Sequence, residues 1–174
     1  MVVQLLTRNF EIDKKLEEIA NLIAIPKSKY EEAENHYKAV GEWLAGENSD
    51  LARYNPDIYA QGSFALGTAI KPIGREEYDV DAVCKLDLSL CNITQAELKH
   101  LVGNRLKAHD KYKGMLEEKR RCWALNYSDS SKFHLDILPA IPDNEVHFNI
   151  NTYRNYNSVE ALYITDNEKE DYSN

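Results

Sequence analysis

Two apolar stretches of this chain carry acids on one side only. That confines it to folds in which one sheet face is buried and the other is kept for polar work. Tyr78–Leu86 alternates strictly, with Tyr78, Val80, Ala82, Cys84 and Leu86 on one side and Asp79, Asp81, Val83 and Lys85 on the other. Phe133-His134-Leu135-Asp136-Ile137-Leu138 sets a third acid inside another apolar strand. Upstream, Gln61-Gly62-Ser63-Phe64-Ala65-Leu66-Gly67-Thr68 puts a Gly-Ser turn between a strand pattern at about Asp57–Gln61 and a short helix expected over Phe64–Ile70.

Two residues apart on a strand, Asp79 and Asp81 have Cα atoms roughly 6.5–7 Å apart and side chains leaving the same face. Carboxylates about 6 Å apart repel by roughly 2.8 kcal/mol at an effective dielectric near 20. A cation relieves that repulsion, and magnesium suits oxygen ligands shared between carboxylates and substrate phosphates. With Asp136 alongside, two ions would bridge the site, one on a leaving pyrophosphate and one lowering the barrier for an attacking hydroxyl. Gly62 lets the backbone approach a phosphate, the amides at the start of the following helix favour anions, and the Ser63 hydroxyl adds a hydrogen bond. Singly, each feature has a plainer use, a solvated strand face or a helix cap; their order along the chain is what points to chemistry.

Other residues carry less. His36, His100, His109, His134 and His147 show no metal-ligand spacing, and His134 reads as structural on a half-buried strand. Cys84 belongs to the apolar face. Lys111-Tyr112-Lys113 and Glu117–Arg121 read as solvated turns, with Arg120 and Arg121 as candidate guides for a triphosphate and Lys71 as a candidate phosphate contact. Cys84, Cys91 and Cys122 are odd in number and lack CxxC spacing, which argues against a disulfide framework or zinc site and fits a reducing cytoplasm. A net charge of −8 disfavours long nucleic acid as a partner while leaving small nucleotides open. No apolar run reaches membrane-spanning length, so no membrane partner is expected and the chain reads as soluble and cytoplasmic.

The 174 residues divide into an N-terminal helical part, 1–50, and a core, 51–174. Ile12, Leu16, Ile19, Ala20 and Ile23 share one helical face. Ser28 with Glu31 reads as a capping box opening a second helix, which carries Tyr30, Ala33, Tyr37, Val40 and Leu44 to about Gly46. Thr94 and Glu97 read as a capping box for a helix over Thr94–Lys107. Arg121–Tyr127 and Lys132–Ala140 read as a hairpin whose second strand is ended by Pro139 and Pro142. Weaker strands are expected at Val146–Ile150 and Leu162–Thr165, followed by a polar end without a closing element.

Residues 61–72, Glu77-Tyr78-Asp79-Val80-Asp81 and Phe133–Pro142 together resemble the polymerase-β-type nucleotidyltransferases, most of all the bacterial cGAS-like group, the CD-NTases. The likeness implies an α+β fold: a polymerase-β-like nucleotidyltransferase core with a mixed sheet, flanked by N-terminal spine helices. It implies that Gln61, Gly62 and Ser63 hold the triphosphate of ATP or another NTP. Asp79 and Asp81 would bind both Mg2+ (or Mn2+) ions, and Asp136 would bind the catalytic one and help activate the acceptor hydroxyl. The implied product is a cyclic di- or trinucleotide signal in anti-phage defence. The family normally continues into a helical C-terminal domain, which is expected to be missing here. Weak turnover by this chain alone, uncovered apolar faces on the Glu11–Leu44 helices, self-association and an activating protein partner follow as expectations. Competing readings are a stand-alone toxin- or antitoxin-type transferase acting on RNA or protein, and a non-catalytic nucleotide-binding module.

Overall fold

The computed structural model describes residues 10–74, 76–127, 133–143 and 161–173. The fold is α+β. Helices α1 (Phe10–Ile23) and α2 (Lys27–Ala45) precede β1 (Asp57–Gln61), α3 (Gly62–Leu66) and β2 (Tyr78–Lys85). Then come α4 (Gln95–Lys107), α5 (Asp110–Lys113), β3 (Leu116–Glu118), β4 (Trp123–Tyr127), β5 (Phe133–Pro142), β6 (Leu162–Asp166) and β7 (Asp171–Ser173). One mixed sheet runs β1-β2-β5-β4-β3, with β6 on β5 and β7 on β6. Among the described residues only β2 and β5 pair in parallel, and α4 lies in the crossover between them, as a parallel connection requires.

One face of the sheet is covered. Val80, Ala82, Cys84, Leu135 and Ile137 are buried with Leu98, Val102 and Leu106 of α4 and Ala33, Val40 and Leu44 of α2. The alternation that places these side chains inward sends Asp79, Asp81, His134 and Asp136 outward. Thr94 caps α4 with both halves of the box formed, its hydroxyl accepting from the Glu97 amide and the Glu97 carboxylate accepting from the Thr94 amide.

Several sequence expectations give way. Ser28 does not cap α2: Pro26 holds the N-cap position and Lys27 is already helical, so Glu31 pairs with the Lys27 ammonium at 3.3 Å instead. The helix after the Gly-Ser turn starts at Gly62 and stops at Leu66, because Gly67 at φ 66° ends it in a left-handed cap. Pro139 does not end β5. It falls where β4 has stopped pairing, at Ile137, and β6 has yet to start, at Ala140, so its missing N–H breaks no ladder on that edge. The chain does close: β7 pairs with β6, and Tyr172 donates to the Ile93 carbonyl at 3.2 Å. The strand expected at Val146–Ile150 lies outside the described residues.

The two N-terminal helices part company. The α2 stripe is packed on the sheet, whereas α1 buries no residue and leaves Ile12, Leu16 and Ile19 about half exposed. Backbone contacts tie the end of α1 to the core: Ala24 bridges Ile70, and the Lys71 amide donates to the Ile23 carbonyl. The Lys71 ammonium joins them on the Leu22 carbonyl at 3.1 Å. Among the described residues no helix is long and apolar enough to cross a membrane.

Candidate active site

Strand register assembles the acids. Across β1, β2, β5 and β4 one rung reads Gln61, Asp81, Asp136, Ala124, and the rung two residues away reads Asp79, His134, Asn126 over the last three strands. Side chains in register share a face, so the three acids separated by up to 57 positions in sequence stand together on the polar face.

The Gly-Ser turn meets this row directly. Gly62 adopts φ 62°, and a Cβ there would lie 2.6 Å from Oδ2 of Asp81. Glycine is therefore required twice, for the left-handed backbone and for the space that the Asp81 carboxylate fills. The Ser63 carbonyl accepts the amides of Thr68 and Ala69, which folds the turn back on itself. Beside it, Ser63, Thr68, Lys71, Glu77 and Asp79 line a cleft of about 260 Å³ that runs along one flank of the acid row. Gly62→Ala is expected to cost about 1–2 kcal/mol for the backbone alone, with the carboxylate contact adding to it. The melting temperature should fall by about 3–8 °C; an unchanged melting curve would refute the close packing.

Charge in the row is frustrated. Burial pushes the Asp79 carboxyl above its ordinary value and Asp136 pushes it further, with Lys119 and His134 pulling back. Asp81 is raised in the same way, by burial and then by Asp79 and Asp136. Asp136 is held from two sides. The Lys119 ammonium meets Oδ1 at 3.3 Å, and the Cys122 thiol donates to Oδ2 at 3.1 Å. Burial of Lys119 works against its charge, but Asp136 outweighs that and raises its pKa. Burial and then the Asp136 hydrogen bond push the Cys122 thiol up to about 12, so it stays a neutral donor. His134 bridges outward, with Nδ1 2.7 Å from the Asn126 Oδ1 and Nε2 2.8 Å from the Glu77 carboxylate.

Lys119 and Cys122 did not stand out in the sequence. The signal for Cys122 lies in the β4 alternation: Ala124 and Asn126 face Asp136 and His134, and Cys122 continues that series by two. Arg120 and Arg121, expected as triphosphate guides, are instead committed to structure. Arg120 grips the fully buried Asp166 at 2.8 and 2.9 Å, and Arg121 adds a third contact at 3.2 Å. The Arg120 hydrogen bond, opposed by desolvation, holds the Asp166 carboxyl well below the usual carboxylate range. Cys84 is fully buried, its thiol pushed up to about 12 by burial, and packs the core.

The donor set fits a hard divalent cation: three carboxylates on adjoining strands, two of them costly to charge, with an ammonium already drawn to the third. Among the described residues no three His, Cys, Asp or Glu side chains stand within ligating reach of one another, so a shared ion calls for carboxylate rotation.

Residues 56–139 match the family described as cyclic GMP-AMP synthase DncV-like, nucleotidyltransferase domain. The chain is 31% identical over 130 residues, 75% of its length, to a c-di-GMP synthase of Roseivirga ehrenbergii, of which this covers 34%. Its fold resembles the CD-NTase CdnG of Bradyrhizobium diazoefficiens, solved in complex with GTP, at TM-score 0.62 and 22% identity over 82% of this chain and 37% of that one. CdnC of E. coli MS115-1, solved with ATP, superposes at TM-score 0.59 and 17% identity over 92% of this chain and 46% of its own. The chain thus spans about a third of the length of the relatives it matches first.

Proposed function

We propose, because residues 56–139 match the DncV-like nucleotidyltransferase domain, that this chain forms the donor-nucleotide half of a divalent-metal-dependent enzyme that joins NTPs into a cyclic di- or trinucleotide signal. The observation that carries the reading is the single rung Gln61–Asp81–Asp136 with Gly62 packed on the Asp81 carboxylate, which sets a phosphate-approachable turn against a cation-seeking acid pair. A product of this class fits the relative named as a c-di-GMP synthase, and the proposal extends to a signalling role in anti-phage defence.

Asp79 and Asp81 would hold Mg2+ or Mn2+, with Asp136 completing the set. The metal supplies neutralisation of the triphosphate and a lowered barrier for the attacking hydroxyl. The chain's own residues do the rest. Gly62 and Ser63 present backbone amides and a hydroxyl to the phosphates, with Gln61 beside them. Asp136, on the neighbouring strand, would take the proton from the acceptor hydroxyl. The helix-and-sheet core fixes the three acids on adjoining strands and Gly62 and Ser63 at the start of α3, which keeps the reacting groups aligned.

Calorimetric titration with non-hydrolysable analogues of GTP and ATP tests this. Binding is expected only when Mg2+ is present. Heats that are identical with and without the metal, or absent with both analogues, would overturn the reading for this chain.

A further inference from the structure

The two groups on Asp136 differ in kind. Cys122 is 7% exposed and uncharged, and its backbone is locked: its carbonyl accepts the Lys119 amide at 3.0 Å, closing a tight turn. That turn is itself pinned from below. The buried Lys99 ammonium donates to the carbonyls of Lys119 and Arg120 at 2.6 and 3.1 Å, and the Thr165 hydroxyl donates to the Arg121 carbonyl at 3.2 Å. Arg120 and Arg121 reach Asp166 on β6, and the Asn167 amide donates to the Arg120 carbonyl at 3.1 Å. The Lys119 side chain is 41% exposed on a long flexible stem, and its only grip on Asp136 is one contact on Oδ1.

We propose that Cys122 is a positioning residue that holds Oδ2 of Asp136 and leaves Oδ1 as the atom offered to a cation, and that Lys119 is a built-in counter-ion on Oδ1 which a divalent cation must displace. A neutral thiol orients the carboxylate without repelling a cation, whereas an ammonium competes with one. A hydrogen bond from a second residue to a metal-binding carboxylate tunes its affinity in this way. The inference rests on the reading of Asp79, Asp81 and Asp136 as metal-holding residues.

The two residues therefore have opposite signs, which a purely structural role would not give. Binding of Mn2+ alone, read from the paramagnetic signal of the free ion, is measured on the wild-type chain, Cys122→Ala, Cys122→Ser and Lys119→Met, with thermal unfolding recorded for each. Cys122→Ala is expected to bind Mn2+ roughly tenfold more weakly. Cys122→Ser, which keeps a donor, should come back to within about twofold of wild type. Lys119→Met should bind about threefold more tightly at low salt, because the exposed pair it removes is a weak one, and the gain should shrink as salt is added. Equal affinity in Cys122→Ala and wild type, or no tightening in Lys119→Met, overturns the proposal. If Cys122→Ala fails to fold, the serine and methionine variants still decide it. A wild-type chain that binds no Mn2+ instead overturns the metal reading on which the proposal stands.

Discussion

Replacing Asp79 and Asp81 together with asparagine is expected to stabilise the metal-free protein and, in the same molecule, to abolish metal-dependent nucleotide binding. The first effect follows from the acid row. Both carboxyls are raised by burial and by the neighbouring acids, so the folded chain holds their protons more tightly than the unfolded chain does. Stability from such groups is complete below the ordinary carboxylate pKa and is lost as pH rises through the raised folded value. At neutral pH the native state therefore carries the full repulsion. Both carboxyls are only partly withdrawn from water, Asp79 less so than Asp81, so solvent screens the gross Coulomb figure to about 1 kcal/mol. That is worth about 3 °C in melting temperature for a chain of this size. The gain should fade as pH drops below the ordinary carboxylate value of about 3.9, where the acids become protonated in folded and unfolded chains alike.

The second effect has the opposite sign. A ligand at a hundred times its dissociation constant stabilises by about 2.7 kcal/mol. Adding Mg2+ with a non-hydrolysable NTP analogue should lift the wild-type chain by about 5–10 °C and leave the double variant where it was, so the order of melting temperatures inverts. Thermal unfolding with and without the ligand pair at neutral pH checks both halves. A double variant that is less stable without ligand would mean that the acids support the fold rather than strain it.

How much of this was legible in the chain depends on the range of the interaction. Strict alternation in Tyr78–Leu86 and Phe133–Leu138 put the acids on the open face, because side-chain period is a local property of a strand. The Thr94–Glu97 box could be read for the same reason, as both partners lie within one turn. Ser28 and Glu31 show the same pattern without the structure, because Pro26 just upstream fixes its own φ and takes the cap position. α3 ends at Leu66 and not at Ile70 because Gly67, in the left-handed conformation, stops the helix well before Pro72 is reached.

The third acid's surroundings were out of reach for another reason. Lys119 and Cys122 meet Asp136 only once Ala124 pairs with Asp136 across the β4–β5 ladder. Arg120 and Arg121 looked free because their partner, Asp166, sits on a strand added 45 positions later, in a segment whose polar sequence hid the closing hairpin. Long-range charge pairing leaves no periodic trace, so cations that structure consumes look the same as cations that substrate would use.

Gly103→Ala is expected to be the most damaging single change to the fold. In an ordinary helix interior the change would help by about 1 kcal/mol, since glycine is the poorer helix former. Here a Cβ would overlap the indole of Trp123, which is 1% exposed and packed directly beneath α4. Overpacking of that kind costs about 3 kcal/mol, so the clash outweighs the propensity gain and the melting temperature should fall by about 5–8 °C. The damage should also reach the acid row. Trp123 donates to the Lys99 carbonyl at 2.9 Å, and the Lys99 ammonium holds the Lys119 and Arg120 carbonyls on the turn that carries Lys119 and Cys122 to Asp136. Metal-dependent nucleotide binding should therefore weaken at temperatures where the variant is still folded. A cycle with Trp123→Phe separates the clash from a general loss of packing. Phenylalanine lacks the ring atoms that the new methyl would strike, so the double variant should be more stable than the sum of the two single losses predicts. Strictly additive losses would mean that the glycine is there for some reason other than the indole.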